Sequence, residues 1–157
     1  MKILEEKNIL VVDDELDILE SVAEVLSSSN VTPASNFEEA QGLIAPGAFD
    51  LAILDIMGVN GFELLKLCVK SNIPATMLTA HAINVESLNK SVKLGAISFL
   101  PKEELFRLPE LVSEIFEDLA KARAHWQKLF ERLDPFFKKK LGISWEEAKS
   151  QFPVHYY

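Results

Sequence analysis

Asn8-Ile9-Leu10-Val11-Val12-Asp13-Asp14-Glu15 is the stretch whose reading decides the fold. Four aliphatic residues run without a polar interruption and stop at three acids. An apolar run that short, rich in β-branched residues and lacking alternation, reads as a strand covered on both faces, the habit of parallel sheets. Working outward, the pattern recurs. Leu51 to Leu54 ends at Asp55, Ala75 to Leu78 ends at Thr79, and Ile97 to Leu100 is followed by Pro101 and Lys102. A weaker strand begins at Val31, and Pro33 makes it an edge strand because proline donates no ladder hydrogen bond. Helical patterns fill the intervals. Leu16, Leu19, Val22, Ala23 and Leu26 form one stripe, and Ser35 to Glu38 reads as a capping box opening a helix that stops before Pro46-Gly47. Gly61 to Lys70 and Val85 to Leu94 complete the set, the former with Phe62, Leu64, Leu65 and Leu67 as core contacts.

Five alternating βα units predict an α/β fold, a doubly wound parallel sheet with right-handed crossovers. At this length the expected strand order is 2-1-3-4-5, the flavodoxin-like arrangement. The C-terminal strand ends then share one rim, where such sheets bind ligands. Asp13, Asp14, Asp55, Thr79 and Lys102 all fall there. Strands one and three are neighbours, roughly 4.8 Å apart, so Asp14 and Asp55 can reach one cation. Strand five is two strands from strand three, a gap that a lysine stem crosses.

Clustered carboxylates repel one another, and a hard divalent cation relieves the repulsion. Mg2+ with its preference for oxygen ligands suits such a set. A carboxylate is also a competent nucleophile toward phosphorus. Transfer to it is promoted chiefly by positioning and charge neutralisation. Asp55 as acceptor, Lys102 on a phosphoryl oxygen and Thr79 as hydrogen-bond donor would make one phosphoryl-transfer centre. Singly, each has a plainer reading: Asp14, Asp55 and Thr79 as caps or turn residues, Lys102 as a solvated cation. Their joint placement at four of five strand ends favours the centre.

The chain of 157 residues suits one well-buried domain with a short addition. Its 48% hydrophobic content fits a globular protein. Glu5 and Glu6 break any N-terminal signal pattern, and no apolar run reaches the roughly 20 residues of a membrane helix. The single cysteine, Cys68, reads as a buried thiol, in keeping with a cytoplasmic location. Residues 1–120 carry 8 basic and 20 acidic side chains, whereas 121–157 carry 8 and 4. An acidic body argues against nonspecific nucleic-acid binding. The first turn lacks the glycines a pyrophosphate needs, which speaks against a nucleotide module.

The segments Val11-Val-Asp-Asp-Glu15, Leu54-Asp-Ile-Met57, Met77-Leu-Thr-Ala-His81 and Phe99-Leu-Pro-Lys102 resemble the receiver domain of two-component response regulators. The resemblance spans about residues 6–120. It implies that Asp55 takes a phosphoryl group from a histidine kinase or phosphotransfer protein. Asp13 and Asp14 then match the magnesium-binding acids, Asp14 more directly, with Asp55 and the backbone carbonyl of Met57 completing the protein ligands. Thr79 matches the switch hydroxyl, Lys102 the phosphate-binding lysine, and Phe99 the aromatic that turns inward on activation. From the sequence alone Phe99 is a core residue. The turn Met57-Gly-Val-Asn-Gly61 is about two residues shorter than the family's and lacks its proline. Proline precedes Lys102 here instead of following it. Met57 and His81 fall where the family tunes dephosphorylation, and an apolar Met57 is expected to impede the attacking water.

Residues 121–157 form a helical extension. Leu108, Val112, Ile115, Leu119, Ala122, Trp126, Leu129 and Leu133 keep an unbroken 4-3 spacing, a helix over 108–133 that would pair with a second copy or fold back. Ser144 to Glu147 opens a last helix. The expected function is a phosphorylation-activated switch of a protein-interaction surface, not an enzyme on external substrates, with self-association or docking to a downstream protein as output. An aspartate-nucleophile phosphohydrolase is the rival, but it needs an acid where Met57 stands. A transcriptional regulator with a minimal DNA-binding tail is another, with few residues for the task.

Overall fold

The computed structural model describes residues 2–80 and 84–121. Its centre is a five-stranded parallel sheet, β1 (Asn8–Val12), β2 (Asn30–Ala34), β3 (Leu51–Asp55), β4 (Ala75–Thr79) and β5 (Ser98–Pro101), in the order β2-β1-β3-β4-β5. This is the expected flavodoxin-like order. β2 is an edge strand and carries Pro33 opposite Val11. β1, β3 and β4 lie inside the sheet, and the residues Ile9–Val12, Leu51–Asp55 and Ala75–Thr79 are all buried. That burial is the physical counterpart of their unbroken apolar runs.

The described residues also form five α-helices: α1 (Leu16–Val25), α2 (Phe37–Leu43), α3 (Gly61–Lys70), α4 (Val85–Lys93) and α5 (Leu108–Ala120). α1 packs with α5 and α2 packs with α3. A 3-10 turn, Lys2–Leu4, precedes the first strand and rests on α5, its Leu4 buried. Lys7 adds a cation–π contact, its Nζ 5.1 Å from the centre of the Phe116 ring.

Several helical details differ from the sequence reading. In α1 the stripe narrows to Leu19, Val22 and Leu26; Leu16 and Ala23 are exposed, since Leu16 sits at the helix mouth beside the acid rim. The capping box shifts by one residue. Asn36 is the N-cap, its Oδ1 accepting from Glu39 N at 2.9 Å, and Glu39 Oε1 accepts from the Ser35 N–H and hydroxyl. In α3, Leu64, Leu65 and Cys68 are buried, while Phe62 and Leu67 are half-buried. Burial pushes the Cys68 thiol up to about 12, so it is an inert core residue. The α5 stripe is broader than 4-3 spacing implies, because Leu111 and Phe116 join Leu108, Val112 and Ile115 in the core. Ala122, Trp126, Leu129, Leu133 and the Ser144 box lie outside the described residues, as does His81. Among the described residues no helix is long and apolar enough to cross a membrane.

Candidate functional site

The parallel register carries the polar residues to one rim. Val12 pairs with Leu54 across β1 and β3, so the next residues, Asp13 and Asp55, emerge side by side. Asp55 pairs with Leu78 and Thr79 with Pro101, which brings Thr79 and then Lys102 to the same edge. A cavity of about 510 Å³ opens there, lined among others by Asp14, Asp55, Met57, Gly58, Thr79 and Lys102.

Lys102 is the hub. Its Nζ lies 2.8 Å from Asp13 Oδ2, 3.2 Å from Asp55 Oδ1 and 3.4 Å from Glu15 Oε1. The lysine therefore spans β5 to β1, one strand farther than the sequence reading required. The path is built by a 3-10 turn, Lys102–Arg107, which starts at the lysine and whose Arg107 pairs with Glu104 at 2.9 Å. Every peptide bond among the described residues is trans, including that before Pro101. Burial pulls the Lys102 pKa down, but the Asp13 and Asp55 carboxylates outweigh it and hold the ammonium firmly protonated.

The acids respond in the opposite sense. Asp55 is only 7% exposed. Burial, with the Asp13 charge beside it, raises its pKa to about 6 against the pull of Lys102. Asp13 is wholly buried and also raised, by desolvation first, with Lys102 and the Glu15 N–H working against it. Its Oδ1 accepts from Glu15 N at 2.8 Å and its Oδ2 faces Lys102. Oδ1 is thus held by a hydrogen bond and Oδ2 by the Lys102 charge alone.

Asp13, Asp14 and Glu15 can each place one carboxylate oxygen within 4.8 Å of the others. A compact set of hard oxygen donors fits Mg2+. Glu15 was not singled out in the sequence, although it is the third of three consecutive acids. Gly58 and Gly61 were missed too. A Cβ on Gly61 would run into the Asp55 carbonyl oxygen, so only glycine lets α3 start directly beneath the acceptor. Met57 projects its side chain outward, 72% exposed.

On the β4 side, the Thr79 hydroxyl donates to the Leu100 carbonyl at 3.4 Å and is 2% exposed. Phe99, next to Leu100, is 1% exposed, its ring inside the core. Asn84 and Ser87 line the same cavity from the start of α4, where Asn84 Oδ1 accepts from Ser87 N at 2.8 Å. Asp13, Asp14, Asp55, Thr79 and Lys102 are therefore brought together as the sequence expects.

The chain resembles solved receivers in sequence and fold. A CheY-like receiver domain protein from Methanospirillum hungatei JF-1 is 27% identical with a TM-score of 0.66, over 74% of this chain and 98% of that one. The receiver domain of NtrX from Brucella abortus is 31% identical with a TM-score of 0.62, over 69% and 98%. NtrX from Brucella abortus in complex with ADP is 28% identical with a TM-score of 0.61, over 74% of this chain. This chain spans only 28% of that protein's length. No curated protein matches the sequence. The response regulator receiver domain pattern matches residues 9–116, the stretch that builds the sheet, the acid rim and α5. The chain belongs to the receiver domain family of two-component response regulators.

Proposed function

We propose that the chain is a phosphorylation-dependent switch in which Asp55 accepts a phosphoryl group from a histidine kinase or phosphotransfer protein. The observation that carries this reading is the convergence of Asp55, Asp14, Thr79 and Lys102 on one cavity, with Asp13 held behind Lys102. One Asp55 carboxylate oxygen attacks phosphorus, the bond to the donor imidazole breaks, and the nitrogen leaves with its electron pair. Bound Mg2+ would supply positive charge to offset the negative charge that gathers on the transferring group. Asp13, Asp14 and Asp55 with the Met57 carbonyl are the ligands proposed for it, and the position of Glu15 supports a further part there. Lys102 is already 3.2 Å from Asp55 and would turn its ammonium to a phosphoryl oxygen.

Thr79 must release the Leu100 carbonyl to donate to the phosphoryl group. That release would alter the surroundings of Phe99 and bias the surface of β5, α4 and α5 between two states. Residues 6–120 act as the receiver, and 121–157 provide the output by self-association through the 108–133 helix or by docking a downstream protein. The receiver acts on itself, not on an external substrate: no carboxylate stands at Met57 to serve as general acid. The acidic body does not suit nucleic acid, and a cytoplasmic setting suits the reduced Cys68.

Incubation with a phosphorylated histidine phosphotransfer domain and Mg2+ tests the reading. Intact mass should rise by one phosphoryl group in the wild type and stay unchanged in Asp55→Asn. Labelling of Asp55→Asn to the wild-type extent would sink it.

A further inference from the structure

The Asp14 carboxylate lines the cavity, yet among the described residues no hydrogen bond or ion pair fixes it. Asp13 beside it has Oδ1 hydrogen-bonded and Oδ2 against the Lys102 charge. What Asp14 does have is a wall. A Cβ at Gly58 would lie 2.6 Å from Asp14 Oδ2, 2.8 Å from Cγ and 2.9 Å from Oδ1. The whole carboxylate head thus rests against the bare face of Gly58, which the short β3–α3 turn holds at φ +79°. A side chain there would meet the head of the ligand, not its stem.

We propose that Gly58 is a positioning residue for Asp14: its missing side chain lets the turn press against the carboxylate and hold it in place for the cation. The inference rests on the reading of Asp14 as a cation ligand. It assigns the short turn a role of its own, because an aspartate without a fixing hydrogen bond must otherwise spend its freedom on each binding event. Outer groups that orient a metal ligand by hydrogen bonding change metal affinity by roughly 10–100-fold when altered, and a steric backing is expected to act at the lower end of that range.

The experiment is the rise in melting temperature of the full chain across a MgCl2 series, fitted to a dissociation constant. The variants are Gly58→Ala, Gly58→Asn, Asp14→Asn and Gly47→Ala. Gly47 has the same φ of +79° but open space around its Cβ direction, so it reports backbone strain alone. Gly58→Asn carries the Cβ while tolerating positive φ, and serves if the alanine variant does not fold. The expected result is Mg2+ affinity weakened about tenfold or more by either Gly58 substitution and unchanged in Gly47→Ala. Wild-type affinity in the Gly58 variants, with Asp14→Asn weakened, overturns the proposal and leaves the cation site standing. Equal weakening in Gly47→Ala also overturns it. A wild type that Mg2+ does not stabilise, or an Asp14→Asn variant that binds like it, removes the cation reading and the proposal together.

Discussion

Two walls of the cavity satisfy their polar groups differently. On the β1–β3 wall, Asp13 and Asp55 are nearly or wholly buried and both bind protons more tightly than an ordinary aspartate. Their only close cation among the described residues is Lys102. On the β4–α4 wall the described residues that line the cavity are uncharged. The Thr79 hydroxyl has the Leu100 carbonyl, and Asn84 caps α4 through Ser87 N. The first wall keeps its carboxylates out of water and close to one another, and gains from any added positive charge. The second is content as it stands and must be pulled away from an existing bond. A switch needs both properties: a place where binding a charged group is favourable, and an element whose rearrangement costs little enough to follow it.

Breaking the first wall should have the largest effect. Lys102→Met removes the countercharge from two buried carboxylates while keeping most of the stem. Losing one partner of a buried ion pair costs roughly 3–5 kcal/mol, and the lower figure is expected because the cavity admits water. The loss should show in urea denaturation of metal-free protein at neutral pH. It should shrink below pH 5, where the carboxylates neutralise themselves by protonation. A loss independent of pH would mean that the lysine acts through packing alone.

Asp55→Asn tests the cost of burying that wall's charge, and from the other side, with the opposite sign. The folded pKa of about 6 lies above the ordinary aspartate value of 3.8, so the folded state holds the Asp55 proton more tightly. Wild-type stability from this group is therefore full below about pH 4 and falls as pH rises through 6. The amide has no such loss, so Asp55→Asn should be more stable than wild type by about 1–3 kcal/mol at pH 7 without metal. The advantage should vanish near pH 4 and narrow with added Mg2+. A variant less stable than wild type at pH 7 would show that the Lys102 pair outweighs the burial cost.

How far these walls were legible in the sequence follows the same division. The strands and their order could be read because four apolar runs end in residues no core would accept uncompensated. The acid wall and Lys102 came with them, since parallel register carries successive strand ends to one edge. The shifted cap at Asn36, the exposed Leu16 and the inclusion of Leu111 and Phe116 were not legible. They depend on which neighbour covers each helix face, which periodicity alone does not encode. Gly58 escaped for a related reason. A glycine in a turn reads as a conformational need, and its φ of +79° bears that out, but its contact with Asp14 comes from a strand distant in sequence. The link from Thr79 to Leu100 was likewise invisible: Thr79 stands out at its strand end, but nothing in the sequence marks the Leu100 carbonyl as its partner.

Thr79→Val should produce the smallest change in stability and so gives the sharpest view of the second wall. Valine keeps the shape of threonine and replaces the hydroxyl by a methyl. The bond that is lost is long, 3.4 Å, and the Leu100 carbonyl keeps a second lone pair for other partners. Stability in urea should therefore stay within about 1 kcal/mol of wild type. The functional effect should be disproportionate. With Mg2+ and beryllofluoride as an acyl-phosphate mimic, wild type should change hydrogen exchange along β5 and around Phe99, while Thr79→Val should bind the mimic and leave β5 as it was. A β5 response that survives in the variant would mean the hydroxyl is only a core hydrogen bond. It would move the switch to some other contact between the cavity and β5, with Lys102 at the end of that strand the first to examine.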